Sequence, residues 1–210
     1  MNNGQYDEAI AGFTTLGNYK DSASRVLKLY SNKLGGINVV SVTDGIVKVK
    51  FGNYTWRVLD IQSNRAMLIT DEAIAKKPYN TELENITWET CTLRSWLNGW
   101  FYDSFSNAEK AMIAETTVVN SDNPEYGTSG GNNTRDKIFL LSIDEADKYF
   151  SSDNDRIVHY NGKVDWWWLR SPGKNQCNAA CVTNFGVIYS FIGMVSDDSF
   201  IVRPAMWINL

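Results

Sequence analysis

The sequence is poor in histidine and cysteine, and both shortages exclude classes of functional site. His159 is the only histidine, which excludes a metal site built from several histidines and leaves one candidate base for a Ser-His-Asp triad, with no nucleophile motif to accompany it. We expect His159 to be a surface residue. The three cysteines, Cys91, Cys177 and Cys181, are too sparse for the disulfide framework of a small secreted domain. Because their number is odd, at least one thiol is free.

Long apolar runs and basic clusters are also missing. No stretch approaches the roughly 20 apolar residues of a membrane span, so we expect no membrane insertion by this segment. The 20 basic and 24 acidic residues give a net charge of −4, and no basic run is long enough to follow a phosphate backbone, which argues against nucleic acid as a partner. The polar start at residues 1–4 is not a signal peptide. Localisation stays unknown; a cell-surface or virion location is compatible with a fragment of a longer product.

Aromatic residues, in contrast, are abundant. The 210 residues include eight Trp, ten Tyr and nine Phe. Such side chains supply rigid contact area in cores and at recognition surfaces. The chain is long enough to bury a core without disulfides, so we expect one medium-sized domain and a short accessory segment.

The accessory segment is predicted at residues 1–34. Apolar spacing indicates two short helices between residue 5 and about residue 32, interrupted at Leu16-Gly17-Asn18. The amino-acid sequence of this hairpin resembles single tetratricopeptide-like units that serve as spacers. One such unit does not bury both of its faces alone, so a spacer is favoured over a peptide-binding array.

The main domain, residues 35–210, is predicted to begin with sheet. Alternating apolar residues indicate a hairpin from Ile37 to Phe51 around Asp44-Gly45, and a second strand pair, Tyr54–Ile61 and Ala66–Thr70. Candidate strands return near the C-terminus at Trp166–Arg170, Ala179–Val182, Val187–Ile192 and Phe200–Ile208. We expect the first and last strands to pair.

Helices and a long loop are predicted between these sheets. A helix beginning near Trp88 is indicated by a bulky apolar stripe formed by Leu93, Trp96, Leu97, Trp100 and Phe101. Capping boxes at Ser106–Glu109 and Ser142–Glu145 predict helices reaching Ala114 and Phe150. Between them, residues 120–135 have the composition of a surface loop, followed by a short buried strand at 137–141. The predicted fold class is therefore α+β.

Two terminal motifs carry a family resemblance. They are Trp167–Gly173 and Val202–Leu210, supported upstream by Tyr79-Asn80, Thr87–Glu89 and Leu93–Asn98. Together, over roughly residues 37–210, they resemble a bacterial and prophage domain family related to the C-type-lectin proteins of the formylglycine-generating-enzyme type, some of which are targets of diversity-generating retroelements. The resemblance implies a C-type-lectin-like fold of antiparallel sheets with two to three helices, preceded here by the helical hairpin.

It also implies a variable region, about residues 174–201. A retroelement of this kind rewrites adenines, so asparagine codons become a restricted set of residues that excludes Trp, Met, Lys, Gln and Glu. Met194 lies outside this set and is either framework or a counterexample, whereas Ala179, Ala180, Val182, Gly186 and Gly193 resemble fixed scaffold. An ordinary pair of hairpins with mixed loops remains the alternative.

The resulting hypothesis is a non-enzymatic protein that binds a protein or cell-surface ligand without a cofactor. Aromatic residues among Ser, Asn and Asp are typical of a binding surface. The predicted ligand-binding residues are Asn175, Cys177, Asn178, Cys181, Thr183, Phe185, Ile188, Tyr189, Phe191, Ser196, Asp197, Asp198 and Phe200. The alternative function is an oxidase of the formylglycine-generating type that uses Cys177 and Cys181.

Charged residues near these segments are assigned structural roles. We expect Arg170 and Arg203 to bond backbone carbonyls or stack on indoles, with Asp165 as a partner of one of them. The acidic groups at residues 122–125 and 197–198 lack the spacing of a calcium loop. The Glu-Pro-Asn and Gln-Pro-Asp triplets of calcium-dependent lectins are also missing, so no sugar specificity is carried over.

Overall fold

The computed structural model describes residues 3–17, 19 and 21–210, without the side chains of residues 3 and 192. Its helices are α1 (Asn3–Thr15), α2 (Ser22–Lys33), α3 (Thr92–Trp96), α4 (Asn107–Met112), α5 (Ile143–Tyr149) and α6 (Asp153–Arg156), with a π-helical turn (Leu97–Phe101) continuing α3. Its strands are β1 (Asn38–Thr43), β2 (Ile46–Phe51), β3 (Tyr54–Gln62), β4 (Arg65–Thr70), β5 (Ala75–Lys76), β6 (Ile113–Ala114), β7 (Thr116–Val118), β8 (Thr134–Asp136), β9 (His159–Tyr160), β10 (Lys163–Val164), β11 (Trp167–Pro172), β12 (Asn178–Val182), β13 (Ile188–Met194), β14 (Ile201–Val202) and β15 (Ala205–Asn209).

The fold is α+β and begins with a helical hairpin, as predicted. Helix α2 buries Val26 and lies against β1, and the following residue Leu34 is fully buried in the main core. The predicted break between the helices includes Asn18, which lies outside the described residues. No helix in the described part of the chain is long and apolar enough to cross a membrane.

A six-stranded sheet has the order β1-β2-β3-β4-β15-β6. Both predicted hairpins are confirmed, and Asp44 takes the left-handed conformation (φ 51°) in the first turn. The expected pairing of the first and last strands is wrong. Strand β15 lies between β4 and β6 because four of its five residues are buried, as a central strand requires, whereas β1 is a half-exposed edge. The ends of the domain nevertheless meet: a Cβ on Gly35 would lie 3.2 Å from the carbonyl carbon of Leu210.

A five-stranded sheet has the order β13-β12-β11-β14-β5, in which only β11 and β14 pair in parallel. The single strand predicted at residues 200–208 is two strands, interrupted at Arg203-Pro204. Because proline has no N–H to donate to a ladder, the chain leaves this sheet after β14 and enters the six-stranded sheet as β15. The break therefore joins the two sheets.

The predicted capping boxes at Ser106–Glu109 and Ser142–Glu145 are both present. The first helix after the sheet begins at Thr92 rather than near Trp88, with the sulfur of Cys91 accepting the N–H of Arg94. Helix α4 ends at Met112, two residues before the predicted end, because residues 113–114 pair with β15.

The predicted strand at residues 137–141 is wrong apart from one bridge, Phe139 to Ala205. Side chains bond its neighbouring carbonyls in place of a partner strand: Asn98 donates to Ile138 and Arg170 to Leu140. The strand forms earlier instead, as β8, which pairs with β7 and closes the base of the loop over residues 119–133.

The two framework arginines are buried and have the predicted structural roles. Arg170 donates to two backbone carbonyls and pairs with Glu145. Arg203 lies 5.2 Å from the ring centres of both Phe150 and Trp167 and donates to the carbonyls of Thr70 and Arg156. Burial lowers the pKa of Arg203 to about 9. The expected partnership of Asp165 with one of these arginines is wrong, since Asp165 pairs with Lys76 at 2.7 Å.

Candidate recognition surface

Strand β13 is the outer strand of the five-stranded sheet, and its pairing with β12 is irregular. Ala179 pairs with Gly193 and Cys181 with Tyr189, so Ala180 alone faces three residues, 190–192. This bulge frees backbone groups and re-aims side chains, which is common beside functional sites. The carbonyl of Ser190 accepts from Nδ2 of Asn123 at 3.3 Å, and that of Phe191 from the N–H of Lys174 at 3.3 Å.

One face of this sheet carries a row of aromatic rings. Tyr189 contacts Trp166 edge-on at 6.0 Å and Phe191 at 6.2 Å, and Phe191 in turn contacts Tyr126 at 6.1 Å. The ammonium of Lys174 lies 4.8 Å from the Phe191 ring centre, within range of a cation–π interaction. We call these four aromatic side chains, Tyr126, Trp166, Tyr189 and Phe191, the aromatic row.

The long polar loop supports this row. Oδ1 of Asn123 accepts the N–H groups of Glu125 and Tyr126, while its Nδ2 donates to the carbonyl of Pro172 at 2.8 Å. Glu125 accepts the hydroxyl of Ser190 at 2.5 Å. The bond from Ser190 and another from the hydroxyl of Tyr126 hold the pKa of Glu125 below its usual value. The acidic groups at 122–125 therefore stabilise the loop, and Asp122 likewise accepts the N–H of Gly130.

A tight turn, residues 183–187, connects β12 and β13 and presents Phe185, which is 73% exposed. The hydroxyl of Thr183 accepts the N–H groups of both Phe185 and Val187. Gly186 takes a left-handed conformation (φ 80°), and a Cβ there would collide with the carbonyl of Asp153. The turn is therefore held against α6, with Phe185 pointing away from the core.

At the other end of β13, an open depression of about 420 Å³ is lined by Asp165, Trp166, Met194, Asp197, Ser199 and Phe200. Asp197 accepts the N–H of Ser199, which fixes this turn. Strands rise about 3.3 Å per residue, so the Phe185 turn and this depression are roughly 20 Å apart. The predicted site is therefore a broad patch along β13.

Three predicted ligand-binding residues are buried and offer little side-chain surface to a ligand. Phe200 is 8% exposed and stacks on Trp168 with 3.9 Å between ring centres. Thr183 is 8% exposed because it bonds the turn, and Cys181, which pairs with Tyr189, is fully buried. The other predicted residues are exposed (Asn175, Phe185 and Asp198) or half-buried (Cys177, Asn178, Ile188, Tyr189, Phe191, Ser196 and Asp197).

The five positions interpreted as fixed scaffold are all buried. Ala179, Ala180 and Val182 have no exposed surface. A Cβ on Gly193 would lie 2.5 Å from both the carbonyl oxygen of Ala179 and the Trp168 ring. Met194, in contrast, is 52% exposed. It therefore belongs to the surface and not to the buried framework.

The remaining candidate groups have simpler placements. All three cysteines are free. Burial raises the pKa of the Cys181 thiol to about 12, so this thiol is neutral at physiological pH. No group of three or more His, Cys, Asp or Glu side chains able to hold a metal ion occurs among the described residues. His159 is exposed, as predicted.

Sequence reasoning missed two members of the aromatic row. Tyr126 was left out because it lies in the loop, far from β13 in sequence; a large aromatic residue inside a polar loop is itself the signal that would have found it. Trp166 was grouped with its two buried neighbours. It precedes β11 and is only half-buried, whereas Trp167 and Trp168 are in the core.

One of the comparisons with known proteins found a match. The chain belongs to a domain family of unknown function, DUF6273, whose model matches residues 63–210. No curated protein and no solved structure matches it. The family match begins at the turn before β4, later than the start near residue 37 that the motifs suggested.

Proposed function

We propose that the protein is a non-enzymatic binding protein whose C-terminal surface recognises a protein or another cell-surface ligand. The observation that carries the proposal is that buried scaffold residues and solvent-facing side chains occupy separate positions along β12 and β13. Small and apolar scaffold residues are buried, while Phe185, Tyr189 and Phe191 reach solvent from a backbone held by hydrogen bonds. Rigid aromatic contacts among adaptable polar ones are characteristic of binding surfaces.

We also propose that a retroelement diversifies this surface. Burial of the scaffold positions supports the idea because changes at solvent-facing sites cost little stability. Met194 is exposed within the patch although it lies outside the residue set that the retroelement can produce, so diversification requires it to be a fixed position. The burial of Cys181, Thr183 and Phe200 restricts tolerated variation to the exposed and half-buried positions. The proposed variable residues are Asn175, Cys177, Asn178, Phe185, Ile188, Tyr189, Phe191, Ser196, Asp197 and Asp198.

The burial of Cys181 argues against the oxidase alternative. A thiol oxidase needs a thiolate, and burial favours the neutral thiol of Cys181.

A paired-library experiment tests the binding proposal. One library randomises Phe185, Ile188, Tyr189, Phe191 and Asp198 on displayed protein; a matched library randomises the five buried scaffold positions. Both are selected against purified lysozyme and serum albumin. We expect the surface library to retain folded display and to yield binders, and the scaffold library to lose display. Equal outcomes in the two libraries would refute the surface assignment.

Diversification is tested separately by the gene's neighbourhood. We expect a nearby, almost identical copy of the segment encoding residues 174–201, with asparagine codons at the variable positions, beside a reverse-transcriptase gene. Without such a copy the diversification proposal is wrong, and the binding proposal stands on the library result alone.

A further inference from the structure

A second candidate site lies near the opposite edge of the five-stranded sheet from β13, where β5 meets the π-helical turn. Trp100 is 65% exposed, whereas the seven other tryptophans, all in the described part of the chain, are buried or half-buried. Its ring stacks on Trp96, with 5.5 Å between centres and an angle of 16°. Single exposed apolar side chains are normal on protein surfaces, whereas a contiguous aromatic patch such as this stacked pair marks an interaction site.

We call the stacked rings of Trp96 and Trp100 the platform. It is rigidly anchored. Trp96 also stacks on Phe101, which is fully buried and contacts Tyr54 at 5.4 Å. Ile74 lies just before β5, and its N–H donates to the carbonyl of Val202. The π-helical turn carries Trp100, and such turns often occur at functional sites. The platform therefore exists before any ligand binds.

The platform forms one wall of an apolar pocket of about 460 Å³, lined by Tyr54, Ile74, Ala75, Lys77, Trp96 and Trp100. Tyr54 and Ile74 also line an adjoining polar pocket of about 520 Å³, together with Glu72 and Asn161. The two pockets share these two residues, and we refer to both pockets together as the groove. Each has the size of a small-molecule site, about 300–1,000 Å³.

Hydrogen-bonding groups in the polar half point to what would fill it. The carboxylate of Glu72, the amide of Asn161 and the hydroxyl of Tyr54 make no hydrogen bond to another described residue. Two lysines nearby have partners: Lys48 pairs with Asp71 at 2.8 Å, and Lys50 donates to the carbonyl of Asn53 at 2.9 Å. Donors and acceptors of both kinds are therefore available to a ligand beside a flat aromatic wall.

We infer that this groove binds a neutral oligosaccharide. A sugar ring has an apolar face of C–H bonds, which suits the electron-rich face of an indole, and a rim of hydroxyls that both donate and accept. Three charges line the two pockets outside any ion pair: Glu72 is negative, and Lys50 and Lys77 are positive. The net charge is small, so the groove does not select a strongly charged ligand. Lys77 already lies 4.8 Å from the Trp96 ring centre, which disfavours a quaternary ammonium there. A proline-rich peptide would leave the polar half unused.

The test uses three soluble tetrasaccharides: cellotetraose, maltotetraose and chitotetraose. Each is titrated into protein labelled with ¹⁵N in its indoles, up to about 10 mM, which detects millimolar dissociation constants. We expect at least one sugar to shift the indole signals of Trp96 and Trp100. The Trp100 signal is identified by its loss in Trp100→Ala.

The variants locate the binding. Trp100→Ala should weaken binding at least about tenfold, the factor that corresponds to roughly 1.4 kcal/mol, while Trp100→Phe keeps part of it and Glu72→Gln weakens it severalfold. Phe185→Ala, an equally exposed aromatic at the proposed recognition surface, should change nothing. Unchanged thermal unfolding of Trp100→Ala shows that the fold is retained.

Three results would overturn the inference. They are binding of none of the three sugars, binding that Trp100→Ala leaves intact, and shifts of Trp96 and Trp100 by a proline decapeptide but by no sugar. The last result would assign the groove to a peptide. None of them bears on the β13 surface, which the library experiment tests independently.

Discussion

Buried thiols determine the chemistry available to single residues. Burial raises the pKa of both Cys91 and Cys181 to about 12, whereas Cys177 is half-buried. We predict that one thiol per native chain reacts quickly with a disulfide reagent at pH 8, and that all three react after unfolding in guanidinium. The Cys177→Ser variant should abolish the fast phase. Fast reaction of Cys181 would return the oxidase alternative to consideration.

The same pKa shifts make a prediction about alkaline stability. In the unfolded chain these thiols ionise near pH 9, but in the folded chain near pH 12. The unfolded state therefore loses protons first, so its relative stability grows with pH. We expect the contribution of these thiols to the free energy of unfolding to be complete below pH 9 and lost between about pH 9 and 12. Urea titrations at a series of pH values should show that the free energy of unfolding of Cys181→Ala falls less steeply with pH than that of the wild type.

Close packing of the scaffold makes Gly193 a sensitive position. A methyl group there would meet both the backbone of β12 and the ring of Trp168. Overpacking of this kind costs about 1–3 kcal/mol, so we predict that Gly193→Ala lowers the free energy of unfolding by about 3 kcal/mol. Gly99 is the matched control, because a methyl group there meets nothing within 4 Å. Equal effects of the two substitutions would contradict the packing of β13 described above.

At the scale of elements, Asn123 connects the long loop to β13. It is 1% exposed, and its side chain both donates to the carbonyl of Pro172 and accepts the N–H of Glu125 in the loop. We predict that Asn123→Ala costs about 2 kcal/mol, since buried backbone groups lose their partners, and speeds hydrogen exchange at residues 120–135. Asn123→Asp keeps the acceptor that bonds the turn and loses the donor that bonds β13, so it distinguishes the contributions of these two sets of hydrogen bonds. Unchanged exchange in both variants would show that the loop does not depend on this link.

Elements whose signals are local were predictable from the sequence. The capping boxes beginning at Ser106 and Ser142, and the hairpin around Asp44, depend on residues within four positions of one another. The π-helical turn was not predicted. The apolar stripe indicated one buried face, but in the structure Leu93, Leu97 and Phe101 are buried while Trp100 faces solvent. Periodicity alone does not reveal a wider helical turn.

Elements that depend on distant contacts were predicted less well. The bulge in β13 exists because Asn123 and Lys174 bond its freed carbonyls, and both lie outside the strand. Likewise, the burial of Phe200 requires Trp168, which comes from another strand. Which side chains of the candidate surface reach solvent thus depends on partners that sequence spacing does not show.

At the scale of the whole molecule, the family match and the folding unit differ. The match begins at residue 63, yet β3 pairs with β4 along six residue pairs and contributes the fully buried Trp56. We predict that residues 34–210 fold cooperatively, whereas residues 63–210 do not, because half of the six-stranded sheet is missing. Urea unfolding followed by near-ultraviolet circular dichroism checks this. A cooperative transition in the shorter chain would show that the first three strands are dispensable.

The capped bulge of β13 has a consequence for solubility. An outer strand with free carbonyls and apolar side chains invites strand addition from other molecules. Here the bulge twists the strand away from a regular ladder, and Asn123 with Lys174 occupies the carbonyls that a second strand would need. Aggregation is thus opposed by the backbone rather than by charged side chains. Sequences rich in β-branched and aromatic residues at this edge are therefore expected to stay monomeric.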